Sequence, residues 1–187
     1  MQSFLRQHIE KIVKLTDDEA AFIVEHFVEE HFSKNAFLFK QGEHVNRCFF
    51  VVKGLLKLLY TDDSGKTHIV SFAMEDWWES DFHAFLNNAH AVMSLQCIEA
   101  TDVLSITTEN FHKLCAGLQK MEHFLLVKTL AGNIAAQQRI ISFLTSDARE
   151  RYERLLNRYP SLFQRVPKSL IASYLGVSRE TLSRLSS

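Results

Sequence analysis

The 187-residue chain has no uninterrupted apolar stretch near the ~18–20 residues of a membrane span, and its opening MQSFLRQHIEKIVKL has no cleavable apolar core. The expectation is a soluble, cytoplasmic protein with no membrane partner. Cysteine is scarce: Cys48, Cys97 and Cys115 are odd in number, widely spaced and set among apolar residues, so they read as reduced core or near-core thiols. The chain has no Gly-rich phosphate loop, no nucleophile on a recognisable elbow and no His-x-His cluster of the kind a metal-binding cupin barrel needs. An enzyme is therefore not expected. His26 with Glu30, or Glu30 with His31, lack a third ligand at a matching spacing and read as surface helix residues, so no metal is expected. Arginine is missing altogether between Arg47 and Arg139.

What is present is a large apolar complement, 47% of residues with 15 Phe, enough to fill one large or two small domains. The net charge of −1 is unevenly spread. From Asp147 onward there are 8 Lys and Arg against 4 Asp and Glu, while residues 1–146 hold 13 against 18. A positive C-terminal segment suits a polyanionic partner. Arg149, Arg151, Arg154 and Arg158 are read separately, as a solvated charged helix face.

Residues 168–187, KSLIASYLGVSRETLSRLSS, place Ile171, Ala172, Leu175, Gly176, Val177, Leu182 and Leu185 where a helix-turn-helix needs apolar or small residues. Ala172 lets two helices touch at their crossing, and Gly176 suits a turn position with positive φ. Ser178 is placed to cap a second helix, 179–185, with Arg179, Glu180, Ser183 and Arg184 on its polar face. Arginine can fork onto guanine and glutamate can accept from cytosine, which is base-reading chemistry. The run Ser178-Arg179-Glu180-Thr181-Leu182-Ser183-Arg184 after Leu175-Gly176-Val177 resembles the recognition helix of the Crp/Fnr family of bacterial transcription regulators. The resemblance implies base contacts from Arg179, Glu180 and Arg184 and phosphate contacts from Ser178 and Thr181. Lys168, Ser169 and Ser183 complete the expected DNA-binding set. No Cys cluster for the iron–sulfur centre of one family branch is present.

Earlier in the chain, residues 1–31 pattern as helices, the second opening on a capping box at Thr16 to Glu19 and running through Phe22, Ile23, Phe27 and Val28. Short β-rich runs follow at 36–39, 47–52, 55–60, 67–73, 92–98 and 103–106, with Gly42, Gly54 and the 62–65 Asp-Asp-Ser-Gly turn between them. Six or more strands suggest a sandwich or barrel. Gly42 followed by Phe50-Val51-Val52-Lys53-Gly54 resembles the cyclic-nucleotide-binding β-roll of the same family. A helix broken near Gly117 then reaches about Leu144. Its Phe124, Val127, Ala131, Ile134, Gln138 and Ile141 recur at spacings of three and four and are read as a dimer seam. Ser146-Asp147 starts the next helix, which Pro160 ends.

The resemblance also implies a ligand cassette, in which a Gly and a Glu contact ribose and an arginine pairs with a cyclic phosphate. Here Glu79 survives, Trp78 stands where the Gly belongs, and the arm 88–93 has no arginine. Trp77, Trp78, Phe82 and Phe85 either fill the vacated pocket or border one for a less anionic ligand. The candidate pocket comprises Trp77, Trp78, Glu79, Ser80, His90, Ala91 and Val92. No cofactor is expected; cyclic AMP is not anticipated, and another small effector is left open.

The reading is an α+β chain in three parts: a double-stranded β-helix or β-roll sensor at 1–117, a dimerisation helix at 118–145, and an all-α helix-turn-helix of shortened winged-helix type at 146–187. The shortening rests on Ser187 ending the sequence with no following strand for a wing. The expected function is sequence-specific transcription regulation with a degenerate nucleotide pocket. Its partners are double-stranded DNA, a second copy of the chain and, by the resemblance, RNA polymerase. The competing readings are a ligand-binding module whose helix-turn-helix no longer binds DNA, and a dimerisation partner that titrates another regulator.

Overall fold

The computed structural model describes residues 1–185; Ser186 and Ser187 lie outside the described residues. Two short helices, α1 (Gln2–Glu10) and α2 (Asp17–Glu25), open the chain. The Thr16 hydroxyl accepts from the Glu19 N–H while the Glu19 carboxylate accepts from the Thr16 N–H, the reciprocal capping box expected from sequence. The second helix ends earlier than its apolar spacing suggests. Val28 belongs to strand β1 (Val28–Phe32), which pairs along the edge of a sheet and uses its N–H and C=O groups there. Glu30 and His31 are therefore strand residues, bonded to Arg47 and Asp102 respectively.

Strands β2 (Phe37–Phe39), β3 (Arg47–Lys53), β4 (Leu56–Thr61), β5 (Thr67–Ala73), β6 (Trp78–Glu79), β7 (Ser94–Cys97) and β8 (Thr101–Thr107) complete two antiparallel sheets, ordered β1-β8-β3-β6 and β2-β7-β4-β5. Phe39, Phe49, Leu58 and Leu95 meet between the sheets. On the outer side of the first sheet, Phe50 and Leu104 join Leu5, Ile9, Ile23, Leu114, Met121 and Phe124. One strand thus serves both layers by alternation. Gly54 has φ +106, and an added Cβ would come within 2.8 Å of Ala100 and Thr101, so the β3–β4 turn accepts only glycine.

Helix α3 (Phe82–Asn87) interrupts the strands, and α4 (Thr108–Gly117) follows them. The expected break at Gly117 leads into α5 (Gln119–Thr145), 27 residues long. Next come α6 (Ala148–Arg158), α7 (Pro160–Arg165), α8 (Lys168–Leu175) and α9 (Arg179–Leu185). Pro160 starts α7 as its first residue, where a missing N–H costs nothing. A second apolar core joins Leu59, Ile69 and Phe72 of the second sheet to Leu155, Leu162, Ile171, Leu175 and Leu182. The C-terminal helices are thereby packed onto the outer face of the β-roll.

Candidate nucleic-acid interface and sensor pocket

The helix-turn-helix forms from the residues its sequence singles out. Ile171, Ala172, Leu175 and Leu182 are buried at the crossing, and Gly176 ends α8 with φ +70. The Thr181 N–H donates to the Ser178 hydroxyl at 3.1 Å, which caps α9. Lys168 and Ser169 are exposed at the start of α8, and Ser178, Arg179, Glu180, Ser183 and Arg184 are exposed along α9. Thr181 is half-buried, and its hydroxyl lies 3.1 Å from that of Ser178. A backbone hydrogen bond at Glu180, together with the Ser178 hydroxyl, holds the Glu180 carboxyl below its ordinary range, so it is an acceptor at neutral pH.

Of the α6 arginines, Arg149, Arg154 and Arg158 are exposed, as expected of a solvated face, whereas Arg151 is half-buried. Arg151 donates to the Leu175 and Ser146 carbonyls and lies 5.2 Å over the Phe143 ring, joining α5, α6 and α8. Arg154 donates to Ser146 and Arg158 to Gln138; only Arg149 is confined to a pair within its own helix, with Glu153. Phe143, Gln138 and Leu175 come from neighbouring helices and Ser146 from the α5–α6 link, and sequence spacing within α6 says nothing about those neighbours.

Three further side chains hold the helix-turn-helix to the β-roll. Arg139 of α5 donates to the carbonyls of Val70, Ile69 and Tyr174 and lies 4.2 Å over the Tyr174 ring. Ser173 accepts from the Ile69 N–H at 3.1 Å. Arg165 donates to both carboxylates of Glu75 and Glu99 and to the Gly54 carbonyl. Sequence reading missed all three, because each reaches the roll across 66 or more residues of chain.

Along α5 the seam differs from the expected one. Phe124 is fully buried against His8 and Trp78 of its own β-roll, so it faces no partner. The first turns of α5 lie on the roll, and their apolar residues are consumed there. Beyond them Leu126, Leu130, Ile134, Ile140, Ile141 and Leu144 are exposed, Leu144 by 79%. Val127 is half-buried; Ala131, Ile134, Gln138 and Ile141 remain on exposed positions.

The candidate sensor residues separate onto different faces. Glu79 pairs with Phe49 and points between the sheets, whereas Trp78 pairs with Phe50 and points to the helical layer. Trp77 meets Tyr159, at the end of α6, with ring centroids 5.3 Å apart. Phe85 is buried against Phe111, and Phe82 is exposed. The indoles therefore do not line one pocket with Glu79. Glu79 accepts from the Ser71 hydroxyl at 2.5 Å and from the Ser80 N–H; burial without a cation pushes its carboxyl up to about 7. Ser80 donates to the Arg47 carbonyl. Asp81, fully buried, caps α3 through the Ala84 N–H and accepts from the Val92 and Met93 N–H groups at 2.9 and 3.2 Å. His90 is exposed and packs edge-on to His44, while Ala91 is buried. The arm's free N–H groups are thus taken by a carboxylate of the chain itself.

These two packed sheets with a long following helix define a class, the cyclic nucleotide-binding domain, whose family model matches residues 29–117. The transcriptional activator Anr of Pseudomonas protegens is 26% identical over 164 residues, covering 81% of this chain and 66% of its own length. Anr of Pseudomonas aeruginosa matches to the same extent, so the chain spans just under two thirds of these relatives. Among solved structures, the regulator CLP of Xanthomonas campestris superposes with a TM-score of 0.74 at 13% identity, covering 91% of this chain and 89% of its own. FixK2 of Bradyrhizobium japonicum gives 0.71 at 16% identity, covering 86% and 82%. Over most of its length the chain is thus similar to transcriptional activators, and it shares its fold with regulators of the same architecture. No helix among the described residues is long and apolar enough to cross a membrane.

Proposed function

We propose that this chain is a sequence-specific DNA-binding transcription regulator that works as a homodimer. The observation that carries the reading is the capped helix α9, with Arg179, Glu180, Ser183 and Arg184 exposed on one packed helix-turn-helix. In this reading Arg179, Glu180 and Arg184 read base edges, while Lys168, Ser169, Ser178 and Thr181 meet phosphates. The exposed apolar stripe of α5 pairs with the same stripe of a second copy and sets two recognition helices about one DNA turn, ~34 Å, apart. Residues 1–117 act as sensor, 118–145 as dimer helix and 146–187 as DNA reader.

The sensor does not suit a cyclic phosphate. The arm offers no arginine, and its Val92 and Met93 N–H groups already serve Asp81, a like-charged carboxylate that would repel the incoming anion. A regulator of this design either responds to a different effector or is set by its abundance.

The test is binding of the purified protein to genomic fragments and to random DNA at ~50 and ~200 mM salt. Specific binding whose logarithm falls with log salt at about −0.9 per phosphate contacted supports the reading. No binding at either salt would leave a dimeric sensor module whose helix-turn-helix no longer reads DNA.

A further inference from the structure

The outer face of the second sheet is only half covered. Helix α8 sits on the β5 side, where Tyr174 packs on Phe72 and Ser173 bonds to Ile69 and Thr67. Leu59 of β4 marks the edge of the second core, and beyond it the β2–β7 side with Lys57 is open and forms a trough of about 630 Å³, a size that suits a small-molecule ligand. Strand register explains its lining. Phe37 pairs with Gln96 and Gln96 with Lys57, while Leu59 pairs with Ser94 and Thr61 with Thr67, so these side chains share the outward face.

The charges in the trough are unevenly satisfied. Lys57 rises from its floor and has no carboxylate within ion-pair distance among the described residues. Burial alone lowers its amine below the ordinary lysine value. Lys40 stands at the rim, 5.2 Å over the Phe37 ring, also with no acidic partner for its ammonium among the described residues. At the hairpin end, the Asp62 carboxylate is occupied by Ser64, the Lys66 N–H and His68, and Asp63 lies beside it. A half-buried cation without a counter-charge is costly, and an anion set beside it relieves that cost.

We propose that this trough binds a small organic anion, with its single anionic group at Lys57 and Lys40 and its apolar body against Phe37 and Leu59. The two aspartates reject a second anionic end and favour a neutral or hydrogen-bond-donating tail. The site lies on the opposite face of the sheet from Ser71 and Glu79, and its far edge, Thr67, touches α8 through Ser173. It stands independently of whether the chain binds DNA.

The test uses the full chain and thermal shift followed by calorimetry. The probes are a nucleoside 5′-monophosphate and 4-hydroxybenzoate, with inorganic phosphate and sodium chloride at matched ionic strength as charge-only controls. A saturable rise in Tm with an organic anion, absent with the controls, is expected. Lys57→Met should fold normally, since it removes a half-buried charge, and should weaken binding roughly tenfold or more. Lys57→Arg should restore most of it, and Glu79→Gln should leave it unchanged. The proposal is overturned if neither organic anion exceeds the matched salt controls. It is equally overturned if binding survives Lys57→Met, or is lost in Glu79→Gln, which would place the ligand inside the roll.

Discussion

Arg165 of α7 and Glu75, in the turn between β5 and β6, form a two-pronged pair with N–O distances of 2.8 and 2.9 Å. The same guanidinium forks onto Glu99 and reaches the Gly54 carbonyl. Burial works against the charged form of Glu75, yet the Arg165 hydrogen bonds hold its carboxyl below the ordinary range. The neighbouring Asp76 faces the other way, onto His8 and Lys11 of the N-terminal region. Two consecutive acids therefore pin the same turn to both ends of the chain.

Arg165→Met removes that clamp and leaves Glu75 and Glu99 facing each other. The site is partly exposed, so the expected loss is about 1–3 kcal/mol, between that of a surface pair and that of a buried one. Urea unfolding at pH 7 measures it, and the C-terminal helices should melt before the roll. An unchanged midpoint with one coincident transition would show that the clamp does not couple the two.

Glu79 should make stability depend on pH. Its folded value of about 7 lies above the ordinary 4.5, so between these the folded chain keeps a proton that the unfolded chain releases. Stability then falls as pH rises through that window and levels off above it. His8 works oppositely: burial, with Lys128 next, lowers its ring to about 4 from 6.5, and its contribution is lost as pH falls through that range. The two slopes oppose each other between pH 4.5 and 6.5. Glu79→Gln should add about 1–3 kcal/mol at pH 8 relative to pH 5 and expose the His8 slope. Parallel pH profiles for the two proteins would count against this assignment.

On α5, two substitutions separate the two faces. Leu130→Asp should convert a dimer to monomer in light scattering, with the fold intact by circular dichroism, because Leu130 is half exposed in one chain. Phe124→Ala should cost about 3–5 kcal/mol of stability and leave the dimer, because Phe124 fills the roll's own core. The reverse pattern would restore Phe124 to the seam.

For DNA recognition, Arg179→Ala should cost about 1–3 kcal/mol on the specific site and little on random sequence. Competition binding at fixed salt gives both numbers. Equal losses on both would make Arg179 a phosphate contact.

Much of this was legible in the residues. The capping box at Thr16, the helix start at Ser146-Asp147, the positive φ at Gly176, the 62–65 hairpin and the capped helix α9 are local, decided by side chains within four residues of the backbone they serve. Six of the eight strands announced themselves by β-rich runs. Strand β1 did not, since VEEHF is mostly polar and is held by its pairing with β8.

What the sequence determined by itself was the order of helical and β-rich segments, the helix pair at 168–185 and the polar face of α9, all carried by short-range pattern. Only the tertiary structure decided which face of α5 is spent on the roll, that Trp78 and Glu79 part to opposite sides of one strand, and that Asp81 occupies the arm's N–H groups. It also placed Arg139, Arg165 and Ser173 against the roll. The reason is range. Propensity, caps and alternation act between neighbours, whereas these outcomes depend on which distant element buries a surface or satisfies a buried polar group.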